Sequence, residues 1–130
     1  MILLDTEALL RLFHQTEGFP APIRDLGALE SAVHRQNAAV FGNVLYPTLD
    51  LKVAALMDGI ARSHPLVDGN KRLTMLAAVA TFYSNGRPHW RGSADELVDF
   101  ILQISDGHLE VPAIAERLAE IFTAERAQTR

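Results

Sequence analysis

Between residues 64 and 72 the chain reads His64-Pro65-Leu66-Val67-Asp68-Gly69-Asn70-Lys71-Arg72, the one stretch where residues able to do chemistry crowd together. A neutral imidazole has an unperturbed pKa of about 6.5, so His64 can take a proton from a hydroxyl near neutral pH. Asp68 supplies a carboxylate, and carboxylate plus phosphate is the usual way to hold Mg²⁺. Gly69 lets backbone approach an anion with no side chain in the way. A helix beginning near Asn70 would turn its free N–H groups and the positive end of its dipole toward the same place. Lys71 and Arg72 add two positive charges in that first turn, where cations are unfavourable unless an anion is expected. Base, metal ligand and phosphate cradle together are the parts of a phosphoryl- or nucleotidyl-transfer site.

Taken singly, these residues also fit a plain turn between helices, with Asp68 and Asn70 as caps. Taken together they are hard to reach by accident. If each of the seven identities His64, Pro65, Asp68, Gly69, Asn70, Lys71 and Arg72 matched by chance about one time in twenty, the pattern would arise on the order of 10⁻⁷ times in such a chain.

The elements that must position this segment read as helices. Asp5 can cap a first helix carrying Leu9, Leu10, Leu12 and Phe13; Gly18, Pro20 and Pro22 break it. Asp25 can cap a second through Leu29, Ala32 and Val33. Residues 37 to 48 are the least regular stretch, a loop or short hairpin. Asp50 is expected to cap a third helix through Val53, Ala54, Leu56, Met57, Ile60 and Ala61, which Pro65 should end near His64. The segment from Lys71 to Ser84 is apolar almost all round and reads as the buried central helix, stopped by Asn85-Gly86. After a short extended connection over 87 to 92, Ser93 and Glu96 form a capping-box pattern for a fifth helix. Pro112 suits the first turn of a sixth, carrying Ile114, Leu118, Ile121 and Phe122. The expected fold is therefore all-α: six helices in a single domain over 1–130.

Composition narrows the function. There is no cysteine, so no thiolate chemistry or disulfide frame. Sixteen acids oppose twelve scattered basic residues for a net charge of −4, which argues against nucleic acid as a principal partner. No apolar stretch approaches a membrane span and the first residues do not resemble a signal peptide, so the expected address is cytoplasmic. His14, His34, His89 and His108 are dispersed and read as surface or turn histidines. Trp90 reads as partly buried, Glu30 and Arg35 as serving the fold. Arg62 either binds phosphate or pairs with a helix acid.

The 64–72 segment resembles the signature of the Fic/Doc superfamily, His-x-Phe-x-(Asp/Glu)-(Gly/Ala)-Asn-(Gly/Lys)-Arg. Lysine at the penultimate place, here Lys71, marks the Doc (death-on-curing) branch; Fic AMP-transferases carry glycine. The likeness extends to Arg24-Asp25 with Leu29-Glu30-Ser31-Ala32 and Arg35, to Ala61-Arg62, and to the apolar helix closing in Asn85-Gly86, over roughly residues 2 to 122. Leu66 stands where the pattern has phenylalanine, an apolar anchor that leucine can serve. Met75 stands where Fic enzymes place a second arginine for the γ-phosphate, which argues against a Fic-style nucleotide pose.

The resemblance implies a compact Fic/Doc-type bundle and a toxin of a toxin–antitoxin pair. The implied activity is a kinase that moves the γ-phosphate of ATP to a protein hydroxyl, for Doc toxins a threonine of elongation factor Tu, halting translation. It implies His64 as base, Asp68 as Mg²⁺ ligand, Gly69 and Asn70 as phosphate cradle, and Lys71 and Arg72 as phosphate contacts. A side chain at Lys71, where glycine allows close approach, should obstruct one phosphate subsite and favour a reversed nucleotide. The alternatives are AMP transfer to a protein hydroxyl, and an inactive module that docks a partner peptide. The loop from Phe41 to Leu49 is expected to position the target, by backbone pairing with an extended segment. The Ser/Thr-x-x-x-Glu pattern of self-inhibited Fic relatives is absent: Ser31 is followed by Arg35, Thr81 by Asn85, Thr123 by Ala127. Restraint is therefore expected in trans, from a Phd-type antitoxin.

Overall fold

Four side chains stand just ahead of helices and accept a free backbone N–H of the first turn. Asp5 accepts from Ala8 (2.8 Å), Asp25 from Ala28 (3.0 Å), Thr48 from Leu51 (3.2 Å) and Ser93 from Glu96 (3.1 Å). They open α1 (Thr6–Glu17), α2 (Leu26–His34), α3 (Leu49–Ser63) and α5 (Ala94–Ser105). Helix α4 (Asn70–Ser84) starts from Gly69, and α6 (Val111–Ile121) carries Pro112 in its first turn. These elements come from a computed structural model, which describes residues 1–125; the last five residues of the expected 1–130 span, with Ala127, lie outside the described residues.

Two expectations about helix ends are corrected. Thr48, not Asp50, caps α3; Asp50 lies inside the first turn and accepts from Arg87 Nη2 at 2.7 Å. Phe122 is not in the last helix. It begins the short strand β4 (Phe122–Thr123), which pairs antiparallel with β3 (His89–Trp90). There its ring stacks on Phe82 with centroids 4.6 Å apart, while the Arg87 guanidinium covers the other side of Phe82 at 4.4 Å. Trp90, expected to be partly buried, is exposed.

Helices α3 and α4 share the middle of the bundle. Helix α4 buries Leu73, Ala77, Ala78 and Phe82, and packs against α1, α3 and α5, while Tyr83 points outward. Helix α3 is enclosed further, by α2, α4, α5 and α6. The core has two lobes on either side of this pair. One gathers Leu9, Phe13, Leu29, Leu56, Ile60, Leu66 and Leu73; the other gathers Met57, Phe82, Phe100, Ile104, Ile114 and Leu118. Helices α2 and α3 approach so closely that a Cβ on Gly59 would lie 2.8 Å from that of Ala32.

The irregular stretch before α3 resolves into a 3₁₀ turn (Arg35–Asn37) and a hairpin of β1 (Ala39–Val40) and β2 (Asn43–Val44). No helix among the described residues is long and apolar enough to cross a membrane.

Candidate active site at the α3–α4 connection

Helix α3 ends at Ser63, and His64 turns out of it with a left-handed backbone (φ 48°), so its side chain leaves the helical run and stands exposed. The connection that follows is short and fastened from three sides. Leu66 buries its side chain in the first core lobe at 1% exposure, the apolar anchor expected of it. The extended segment ahead of α2 pairs with the loop: Val67 N–H donates to Pro22 O (2.8 Å), and the N–H groups of Arg24 and Asp25 both donate to Pro65 O (2.8 and 3.0 Å). From inside α4, the Asn70 amide closes a ring with Leu66, accepting its N–H and donating to its C=O, each at 2.9 Å.

Asn70 is therefore the clasp of the loop. Both polar ends of its side chain are engaged by Leu66, so what it can offer an anion is its backbone N–H. Gly69 has φ 93°, which glycine alone adopts readily, and a Cβ there would meet the Phe13 ring at 3.0 Å. No side chain caps α4, and the first backbone bond of its turn runs from Leu73 N–H to Gly69 O (2.9 Å). Among the described residues the N–H groups of Asn70, Lys71 and Arg72 have no acceptor, as the start of an open helix requires.

These groups face a cavity of about 290 Å³. His64, Asp68, Gly69, Asn70, Lys71 and Arg72, all of the residues that the sequence singles out, line it together, with Ser105 from the end of α5. Asp68 is 85% exposed; one carboxylate oxygen accepts the Gly69 N–H (2.9 Å), and the other lies 3.6 Å from Arg72 Nη2. Arg72 also has Nη1 at 3.4 Å from Glu17 at the end of α1. Two carboxylates thus offset the cost of a cation at a helix start while leaving it half exposed toward the cavity.

A carboxylate with a solvent-facing oxygen beside a phosphate cradle is the donor set that Mg²⁺ uses with a nucleotide, since the ion keeps most of its waters. Among the described residues no three His, Asp or Glu side chains gather into a self-sufficient metal cage.

Arg62 does not enter the cavity. Its Nε donates to Asp58 Oδ1 at 2.6 Å, and Arg35 Nη1 donates to the other oxygen at 3.0 Å. The hydrogen bond to Asp58 raises the Arg62 pKa. Burial works to lower that of Arg35, and the bonds to Tyr46 and Asp58 more than offset it. Arg35 thus serves the fold, as expected.

Sequence reasoning passed over Glu17 and Ser105, and it named Arg24 only as part of the second-helix likeness, with no link to the end of α3 that its guanidinium reaches. Glu17 and Ser105 carry no local signal, because only the packing of α1 and α5 brings them to the cavity.

Comparison with known proteins agrees with this geometry. Residues 3–82, from α1 through most of α4, match the model of the Fic/DOC family. The chain is also 36% identical over 127 residues to a protein named Toxin Doc from Mycolicibacterium smegmatis, covering 97% of this chain and 96% of that one. With the motif complete but for Leu66 and the likeness running nearly end to end, the chain belongs to the Fic/Doc family.

Proposed function

We propose that this protein is the toxin of a toxin–antitoxin pair and a kinase that transfers the γ-phosphate of ATP to a hydroxyl of a translation factor. The favoured target is a threonine of elongation factor Tu. The observation that carries the reading is the single cavity in which His64, Asp68, Lys71 and Arg72 meet the open start of α4. Lys71 fills the place where nucleotidyl-transferring relatives have glycine, and Met75 withholds an arginine from the γ-phosphate pose of those enzymes.

In this reading the N–H groups of Asn70, Lys71 and Arg72 bind phosphate oxygens, and the side chains of Lys71 and Arg72 add charge. His64 accepts the proton of the target hydroxyl as its oxygen bonds to the γ-phosphorus. The bond from that phosphorus to the bridging oxygen breaks, and ADP leaves with the electron pair. Asp68 would hold Mg²⁺, which when bound neutralises charge on the phosphates. The protein works in the cytoplasm, where its target is, and a separate antitoxin of the Phd type restrains it. Expression without that partner should arrest growth, and His64→Ala should relieve the arrest.

One experiment separates the competing chemistries. The protein is incubated with target extract and ATP labelled on either the α- or the γ-phosphate. Protein labelled from the γ position is expected. Label from the α position would make it a nucleotidyltransferase, and none from either would leave a peptide-docking module.

A further inference from the structure

A helix that ends in a left-handed residue ordinarily closes its last carbonyls with backbone N–H groups from the residues that follow. In α3 that device is cut short. His64 returns its own N–H to Ile60 O at 3.2 Å, but the next residue is Pro65, which has no N–H to give. One side chain from elsewhere takes the open carbonyls. Arg24 Nη2 donates to Ser63 O at 2.7 Å and Nε to His64 O at 2.8 Å, with Nη2 also on His64 O. The backbone N–H of the same residue holds Pro65 O.

Three consecutive carbonyls, of residues 63, 64 and 65, are thus held by one residue some 40 positions earlier in the chain. The guanidinium also sits at the negative end of the α3 dipole, and hydrogen bonds from a charged donor are the stronger kind. A left-handed backbone at a non-glycine residue is sparsely populated and persists where its surroundings over-determine it. The direction of the imidazole follows from the backbone angles of His64, so whatever fixes those angles aims the ring.

We infer that Arg24 is a positioning residue for His64, holding the end of α3 in the left-handed turn that presents the imidazole to the cavity. It touches no reacting atom and acts through the main chain alone. The inference rests on the proposed role of His64 as base. Arg24 is itself exposed, and surface interactions contribute little to global stability, so its loss acts on the rate of transfer more than on the fold.

The test uses the full chain with Arg24→Ala and Arg24→Lys. Single-turnover label transfer, nucleotide KM, thermal midpoint and the imidazole NMR signals of His64, assigned by comparison with His64→Ala, are measured on each. Arg24→Ala should lower the single-turnover rate about 10- to 100-fold, the scale of a misplaced catalytic group. Nucleotide KM should change less than about twofold, since the α4 cradle is untouched. The His64 signals should shift and broaden while those of the other histidines stay put. Arg24→Lys keeps the cation but not the two-armed fork, so it should keep the thermal midpoint and regain only part of the rate. An unchanged rate with unchanged His64 signals in Arg24→Ala overturns the inference. So does a lysine variant as fast as wild type, which would leave charge alone as the cause. If Arg24→Ala does not fold, Arg24→Lys decides by the same two readouts. If wild-type protein transfers no label at all, the proposed function fails while the NMR comparison still decides on Arg24.

Discussion

Two short connections flank α3, and they are built in opposite ways. The one after it, residues 64 to 69, is tied from several elements: Pro22, Arg24, Asp25 and Asn70 all bond to it, and Leu66 roots it in the core. The one before it is the hairpin of β1 and β2, with strands of two residues, every residue from 39 to 45 exposed, and Phe41 at its tip 99% exposed. In the proposed function the first holds the groups that must be in place before a substrate arrives, and catalytic geometry tolerates little looseness. The second has little to hold it and much to offer, namely an open edge and an apolar tip, which suits a segment whose final shape a partner completes.

The largest expected effect lies in the fastened loop. His64→Ala should reduce label transfer by about 10² to 10⁴, the usual contribution of a positioned base, because nothing else lining the cavity is a ready proton acceptor at that end of α3. The side chain is exposed, so the thermal midpoint should hold. Substantial residual single-turnover activity in a well-folded sample would take the role away from His64.

Asn70→Ala should come next, and it should strike stability and rate together. It removes two hydrogen bonds and strands the N–H and C=O of Leu66, a cost of about 2 kcal/mol. In a domain of this size that is a fall of roughly 8 °C in thermal midpoint. If the melt is unchanged while transfer falls, the Asn70 amide serves the substrate rather than the loop.

The hairpin should answer differently. Val44→Pro removes a backbone donor from β2, and proline cannot join a pairing edge. Transfer to the protein target should drop several-fold, with nucleotide binding and the thermal midpoint nearly unchanged. Equal loss of target transfer and nucleotide binding would show that the hairpin supports the cavity instead.

The smallest effect is also the sharpest test of the contrast. Phe41 and Gly42 both have positive φ, at 50° and 80°, the pattern of a two-residue turn that prefers Asn-Gly. A bulky residue is strained there. Phe41→Asn should therefore stabilise the hairpin by a few tenths of a kcal/mol while weakening transfer to the target, measured by hydrogen exchange at Leu45, whose N–H donates to Ala38 O, alongside the labelling assay. A variant that is both firmer and equally active would remove the tip from target contact.

Much of this was readable from sequence where the deciding physics is local. The caps at Asp5, Asp25 and Ser93, the stop at Asn85-Gly86 and the break at His64-Pro65 each depend on residues a few positions apart. What escaped depends on partners far along the chain. Thr48 and Asp50 are both of a capping type; Thr48 takes the role, and Asp50, two residues on, bonds to Arg87, 37 residues away. Phe122 left its helix to stack on Phe82, and the β3–β4 pairing that exposes Trp90 joins segments more than thirty residues apart. The site shows the same division. Its motif residues announce themselves, and the structure brings all six to one cavity. Glu17 looks like an ordinary surface charge, and Arg24 like one more residue of the second-helix likeness, until the fold sets them against Arg72 and the α3 end. Asn70 was legible as part of the site, but not that its side chain is turned inward to the loop.

The carboxylate of Asp58, 7% exposed, receives Arg35 on one oxygen and Arg62 on the other, and Arg35 also reaches Tyr46 where the chain leaves the hairpin. Either arginine can be lost with the other still compensating the charge; losing both strands a nearly buried anion. The two positions therefore cannot drift independently. Sequences descended from this one can vary at 35 or at 62 while the other cation stands, and a lineage that has given up one becomes intolerant of change at the second unless position 58 turns neutral first.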